Sequence, residues 1–137
     1  MQSHTELSDS EFIRSFESAK MPEEIFNHEA HLRLAWLYIH QFGCETAILK
    51  TETSIMNFVR VLNAEHIYHT TLTIAAVKVV NHFVQKSNSQ NFNDFILEFP
   101  RLKSNFKNLI EAHYSFDIFS SADAKSTYIE PDLLPFE

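Results

Sequence analysis

Two histidines three residues apart stand at the start of an apolar stretch, in the segment FNHEAHLRLAW at residues 26–36. The spacing of His28 and His31 places two imidazoles on one face of an α-helix, close enough to bind one metal ion. A third histidine, His69, occurs in YHTTLT at residues 68–73. Three imidazoles leave coordination positions open for water or substrate, as in catalytic metal sites. The three residues therefore predict a mononuclear metal centre, with Zn or Fe as the favoured ion.

The directions of these side chains follow from the advance of about 100° per residue along an α-helix. On a helix that starts after Asn27, His28 and His31 share an apolar arc with Ala35 and Tyr38. The two histidines are therefore predicted to point inward. The opposite face, which is predicted to meet water, carries Glu29, Arg33 and His40.

The helix that contains YHTTLT gives a similar result. His69 and Thr73 fall on its apolar face, whereas His82 falls at the rim. A buried ring nitrogen without a partner costs about 1 to 3 kcal/mol, so inward histidines need partners. One metal ion could be the partner of all three ring nitrogens. Hydrogen bonds to carbonyls, hydroxyls or water would also give each nitrogen a partner. A third possibility is a metal-free pocket in which histidines beside helix N-termini bind a carboxylate or phosphate.

The composition favours an all-α fold. The chain has 137 residues with only one Gly and four Pro, so few residues suit β-hairpin turns. Apolar periodicity and helix-end residues predict a compact single domain of five or six helices over residues 1–137. These helices are predicted to start near Ser8, Asn27, Glu45, His69, Phe92 and Phe106, and SSADAKSTY adds a turn or two. Residues 1–7 and 129–137 are predicted to be extended or flexible.

Charge and motifs exclude several classes of function. The net charge is -7 with no cluster of Lys or Arg, which argues against nucleic acid and anionic membrane partners. No apolar run reaches the length of a membrane span, and the polar N-terminus does not resemble a secretory signal. The single cysteine, Cys44, cannot form an internal disulfide, so a cytoplasmic location is predicted. The chain contains no Gly-rich phosphate loop, no GxSxG and no HExxH.

Three segments resemble an uncharacterised family of small bacterial proteins. They are FNHEAHLRLAW, YHTTLT and a C-terminal stretch that ends in YIEPDLLP. The family pattern FxHxxHLxxAW, YHxTxT and EPDL maps onto His28, His31, Trp36, Tyr68, His69, Thr71, Thr73, Pro131 and Asp132. The resemblance carries no activity, but it implies that the tail belongs to the same unit as the histidine helices, with YIEPDL across the pocket.

The leading hypothesis is a cytosolic metal-dependent enzyme that acts on a small molecule, with His28, His31 and His69 as ligands. The alternative is a non-catalytic helical protein that binds a ligand or partner in a metal-free His/Thr pocket. In both cases the predicted pocket residues are Thr73, Tyr38, His66, His113 and Trp36. An interaction module is a third class, for which the stripe of Phe92, Phe95 and Phe99 is the candidate surface, although core packing explains that stripe more simply.

Overall fold

The computed structural model describes residues 3–136, and within this range the protein is all-α, without a β-strand. The predicted fold class is thus confirmed. The α-helices are α1 (Asp9–Glu17), α2 (His28–Phe42), α3 (Cys44–Val61), α4 (Thr70–Val84), α5 (Phe92–Glu98), α6 (Arg101–Ser104), α7 (Phe106–Glu111) and α8 (Ala122–Ser126). Single 3-10 turns occupy His4–Glu6, Glu23–Ile25 and Glu65–Ile67. None of the described helices is long and apolar enough to cross a bilayer.

Local sequence signals determine where the first helices begin and end. The Ser8 hydroxyl accepts the Glu11 amide N–H, and the Glu11 carboxylate accepts that of Ser8, which forms the predicted capping box of α1. The Asn27 side chain caps α2 by accepting the N–H of Ala30 at 2.9 Å. Gly43 has φ +83°, a conformation that L side chains rarely adopt, and it lets α3 follow α2 directly.

Two short helices lie where the sequence pattern is weakest. Helix α6 begins directly after Pro100, which stands at its N-cap, so this proline ends one helix and starts the next. Helix α8 forms the turn predicted for SSADAKSTY, with the Ser121 side chain as its cap.

Helix α4 starts one residue later than predicted, because His69 is its N-cap rather than part of its first turn.

The core lies between α2, α3 and α4, which pack against one another, and aromatic rings fill much of it. The Phe16 ring stacks on that of Phe26 at 4.2 Å between centroids and lies 4.8 Å from that of Phe58. On the other side of α2, the Phe95 ring is fully buried and contacts Trp36. The predicted phenylalanine stripe on α5 is therefore mainly core, with Phe92 and Phe95 buried and Phe99 half-buried.

The N-terminal segment packs against α2 and covers Arg33. The prediction that Arg33 faces water is therefore wrong. This side chain is buried, at 7% exposure, instead of facing water. Its guanidinium donates to the backbone oxygens of His4 at 2.6 Å and Leu7 at 2.8 Å, and pairs with the Asp9 carboxylate at 2.9 Å. The His4 ring is buried as well and bonds the Glu29 carboxylate through Nε2 at 2.7 Å. Residues 3–7 are thus ordered by buried polar contacts, and Met1 and Gln2 lie outside the described residues.

The C-terminal tail has no regular secondary structure after α8, yet side chains hold it at defined points. The buried Thr71 hydroxyl donates to the Thr127 carbonyl at 2.7 Å and accepts the Ile129 N–H at 3.1 Å. Further along, the Asp132 carboxylate accepts both the backbone N–H and the hydroxyl of Ser115. The tail is therefore part of the same packed unit up to residue 136, and Glu137 lies outside the described range.

Candidate functional site

A cavity of about 660 Å³ opens between α2, α3, α4 and the α6–α7 segment. This volume falls within the range of about 300 to 1,000 Å³ that is usual for small-molecule sites. Most of its wall is apolar, formed by Phe26, Leu32, Ala35, Ile55, Phe58, Val59, Leu62, Ile67, Leu72, Ala76, Val77, Val80, Phe106 and Phe119. The cavity is much larger than the voids of a close-packed interior, which makes it the candidate binding site.

The polar part of the wall includes four residues that the sequence motifs predict. His28, His31, His69 and Thr73 all line this one cavity. The first two enter it from the start of α2 and the other two from the start of α4. The structure therefore brings the HxxH motif and the YHTTLT motif to one site.

His69 uses both of its ring nitrogens within the protein. Its Nδ1 accepts the backbone N–H of Leu72 at 3.0 Å, which caps α4. Its Nε2 therefore carries the proton and donates to the Ile118 carbonyl at 2.8 Å. With both positions engaged, the ring links α4 to the segment before α8 and has no lone pair left for a ligand.

His28 keeps one nitrogen free. Its Nε2 donates to the Leu102 carbonyl at 3.0 Å, which leaves Nδ1 as the acceptor. The ring also packs 5.0 Å from the ring of Phe106, between centroids. The start of α2 is thereby attached to α6 and α7.

His31 has no ring hydrogen bond within residues 3–136, and its ring stacks on Phe26 at 4.0 Å between centroids. The His31 side chain is exposed to a water-sized probe through the cavity, while Phe26 and the surrounding protein atoms displace much of its water. This desolvation, with a smaller contribution from repulsion by His28, lowers the pKa of His31 to about 4. At neutral pH the ring is uncharged and presents one donor and one acceptor.

The three-histidine metal site does not fit this set of donors. Within the described residues, no group of three His, Cys, Asp or Glu side chains is placed to hold an ion. His69 is the member that fails, since both of its nitrogens are already bonded. His28 Nδ1 and the His31 ring remain, whereas zinc enzymes use three protein ligands. The metal centre stays a prediction from the sequence.

Tyr38 and Trp36 were predicted as pocket residues but do not line this cavity. The Tyr38 hydroxyl donates to the Glu17 carboxylate at 2.6 Å and lies 2.9 Å from the Ser54 hydroxyl. Trp36 borders a separate shallow groove beside α1, and its buried indole N–H has no partner in the described chain. The correction has a geometric reason, because the α2 face that bears these rings packs against α1 and α5.

His66 and His113 also lie away from the cavity. His66 is exposed on the 3-10 turn Glu65–Ile67, so it does not form the predicted mouth. His113 donates through Nδ1 to the Leu134 carbonyl at 2.8 Å, and its ring packs at a tilt against that of Phe136, with 4.2 Å between centroids. The tail around EPDL therefore packs against His113, and none of residues 120–136 lines the cavity.

Several cavity residues carry no motif that sequence patterns could identify. Lys103 pairs with the Glu29 carboxylate at 3.0 Å, and the Lys107 ammonium lies 5.3 Å from the centre of the Phe119 ring. Lys103, Lys107 and Phe119 belong to the cavity wall, whereas Glu29 does not. The only sequence signal for the lysines is their position on either side of Phe106, near which a helix is predicted to start.

Comparison with known proteins finds no match: no family model, no curated protein and no solved structure is similar to this chain. The resemblance to small bacterial proteins stays a prediction. The function is therefore inferred from the cavity and from the side chains that form its wall.

Proposed function

We propose that the protein binds a small, largely apolar organic molecule in the cavity that His28 and His31 help to line. The observation that carries this proposal is the pair formed by an apolar chamber of about 660 Å³ and the His31 ring in its wall. A chamber of this size lies in the range that holds small organic molecules. The neutral His31 ring offers that ligand one directional polar contact.

The remaining polar groups of the wall support binding rather than metal-dependent chemistry. His69 is occupied as a helix cap and as a donor to Ile118. The Thr73 hydroxyl is likewise occupied, since it donates to the His69 carbonyl at 2.7 Å. Neither group is free to activate a water molecule or a substrate. They stabilise the start of α4, and through it the shape of the cavity.

The Thr51 hydroxyl is a buried polar group beside the cavity, out of reach of a water-sized probe. Thr51 belongs to the cavity wall, its side chain is 4% exposed, and its hydroxyl has no hydrogen-bond partner within residues 3–136. A buried hydroxyl without a partner costs about 1 to 3 kcal/mol. A protein folded only for stability would gain by filling the cavity with apolar side chains, so the cavity itself supports a ligand site.

Fluorescence titration with N-phenyl-1-naphthylamine tests this proposal, because the neutral dye becomes bright in apolar cavities. We expect saturable binding of one dye per chain to the wild-type protein. Ala76→Trp places an indole in the cavity and should weaken binding at least about tenfold, which corresponds to about 1.4 kcal/mol. The matched control is Ala112→Trp, because Ala112 is exposed and lies outside the cavity.

The control separates cavity binding from dye adsorption at the surface. The control variant should bind the dye as the wild type does, and circular dichroism should show that both variants are folded. Absence of saturable binding to the wild type would contradict the proposal. Equal affinities of Ala76→Trp and wild type would contradict it as well, since the dye would then bind elsewhere.

A further inference from the structure

We propose that the ligand is a monocarboxylic acid whose carboxylate binds beside His28, His31 and Lys107 while its apolar body fills the cavity. This inference rests on the proposed function and adds the chemical class of the ligand.

Contacts connect His28 and Lys107 along the cavity wall. The His28 ring packs on Phe106 at 5.0 Å between centroids, and Lys107 is the next residue in α7. The Lys107 ammonium lies over the Phe119 ring, and both side chains belong to the cavity wall. His31 follows His28 by one turn of α2. His28, His31 and Lys107 therefore belong to one cavity wall, which offers a ligand two imidazoles and one ammonium.

The charges of the cavity wall favour an anionic ligand. Lys107 has no carboxylate within ion-pair distance in the described part of the chain, whereas Lys103 is neutralised by Glu29 at 3.0 Å. The one acidic residue in the wall is Glu23, on an exposed 3-10 turn. An ammonium held over an aromatic ring at the edge of an apolar cavity is a site for one negative charge.

The histidines favour a single negative charge over a phosphate dianion. His31 is uncharged at neutral pH, because desolvation lowers its pKa, so it donates a hydrogen bond without adding charge. The His28 Nε2 proton is already committed to the Leu102 carbonyl. One ammonium and one imidazole N–H match the two oxygens and the single charge of a carboxylate.

Displacement of bound N-phenyl-1-naphthylamine by octanoate and by 1-octanol tests the inference, because the two molecules share one alkyl chain and differ in the head group. At neutral pH we expect octanoate to bind the wild type about fivefold more tightly than 1-octanol, as for a partly desolvated ion pair. Lys107→Met should remove this preference and leave 1-octanol affinity unchanged. Lys86→Met, at an exposed position outside the cavity, is the matched control and should keep the preference.

A second readout is the pKa of His31, followed by NMR of its ring. A bound carboxylate should raise this pKa from about 4 by about one unit or more, because an adjacent negative charge favours the imidazolium. Bound 1-octanol should not raise it. Dye binding with equal displacement by octanoate and 1-octanol would overturn the carboxylate inference alone. Failure of the dye to bind would overturn the proposed function itself.

Discussion

Replacing Arg33 by methionine is expected to lower the free energy of unfolding by about 3 kcal/mol, out of a total of about 5 to 15 kcal/mol for a domain. The guanidinium is the donor to the backbone oxygens of His4 and Leu7. Methionine fills similar space but donates no hydrogen bond, so carbonyls at a buried contact lose their partner. The ion pair with Asp9 contributes little to this loss, since the Asp9 carboxylate is 62% exposed and solvent screens it.

Urea denaturation followed by circular dichroism measures this effect. Arg14→Met is the matched control, because Arg14 is an exposed residue of α1, and its loss should change the stability by less than about 0.5 kcal/mol. If Arg33→Met were as stable as Arg14→Met, the buried position of Arg33 and the anchoring of the N-terminal segment would both be wrong.

His69→Ala is expected to lower the free energy of unfolding by about 2 kcal/mol. The change removes the cap that accepts the Leu72 N–H, a loss of about 1 kcal/mol, and leaves the Ile118 carbonyl without its donor. His69→Asn should recover about half of this loss, because asparagine is a good N-cap residue but is too short to replace the link to Ile118. His66→Ala, at an exposed position of the 3-10 turn Glu65–Ile67, is the control and should be near neutral.

The same variants distinguish a helix cap from a metal ligand. The hydrogen bonds of His69 predict that its replacement changes stability without changing the metal content of the purified protein. The three-histidine site predicts one transition-metal ion per wild-type chain and its loss in both His69→Ala and His69→Asn. Elemental analysis of untagged protein decides between them, and the second pattern would contradict the role assigned here to His69.

Local patterns were sufficient to predict the helices. The capping box at Ser8, the cap at Asn27 and the positive φ of Gly43 depend on residues that are near one another in sequence. The structure confirms the predicted helix starts within about one residue. Helix α6 was missed because four residues are too few to show a helical period.

The arithmetic of helix faces found the cavity residues but failed for Arg33. It placed His28, His31, His69 and Thr73 inward, and all four line one cavity. It placed Arg33 outward, since it treats every polar residue opposite the apolar arc as exposed. In the protein, the segment around His4 covers that face and supplies carbonyls for the guanidinium. A contact between residues 29 positions apart leaves no periodic signal in α2.

Long-range contacts likewise explain why the chemistry of the site was not predicted. The bond from His28 to Leu102 spans 74 residues, and the bond from His69 to Ile118 spans 49. These carbonyls engage ring nitrogens that the sequence left available to a metal or a ligand. Lys107 joins the site through a segment of short helices in which no motif marks it.

The central claim is that the cavity between α2 and α4 binds a small apolar molecule. Its most direct test is an NMR measurement of nuclear Overhauser effects between bound N-phenyl-1-naphthylamine and the methyl groups of the protein. The predicted result is a set of contacts to the cavity methyls of Ile55, Leu72 and Val77. Contacts confined to exposed methyls outside the cavity, such as those of Leu97 and Leu133, would contradict the claim.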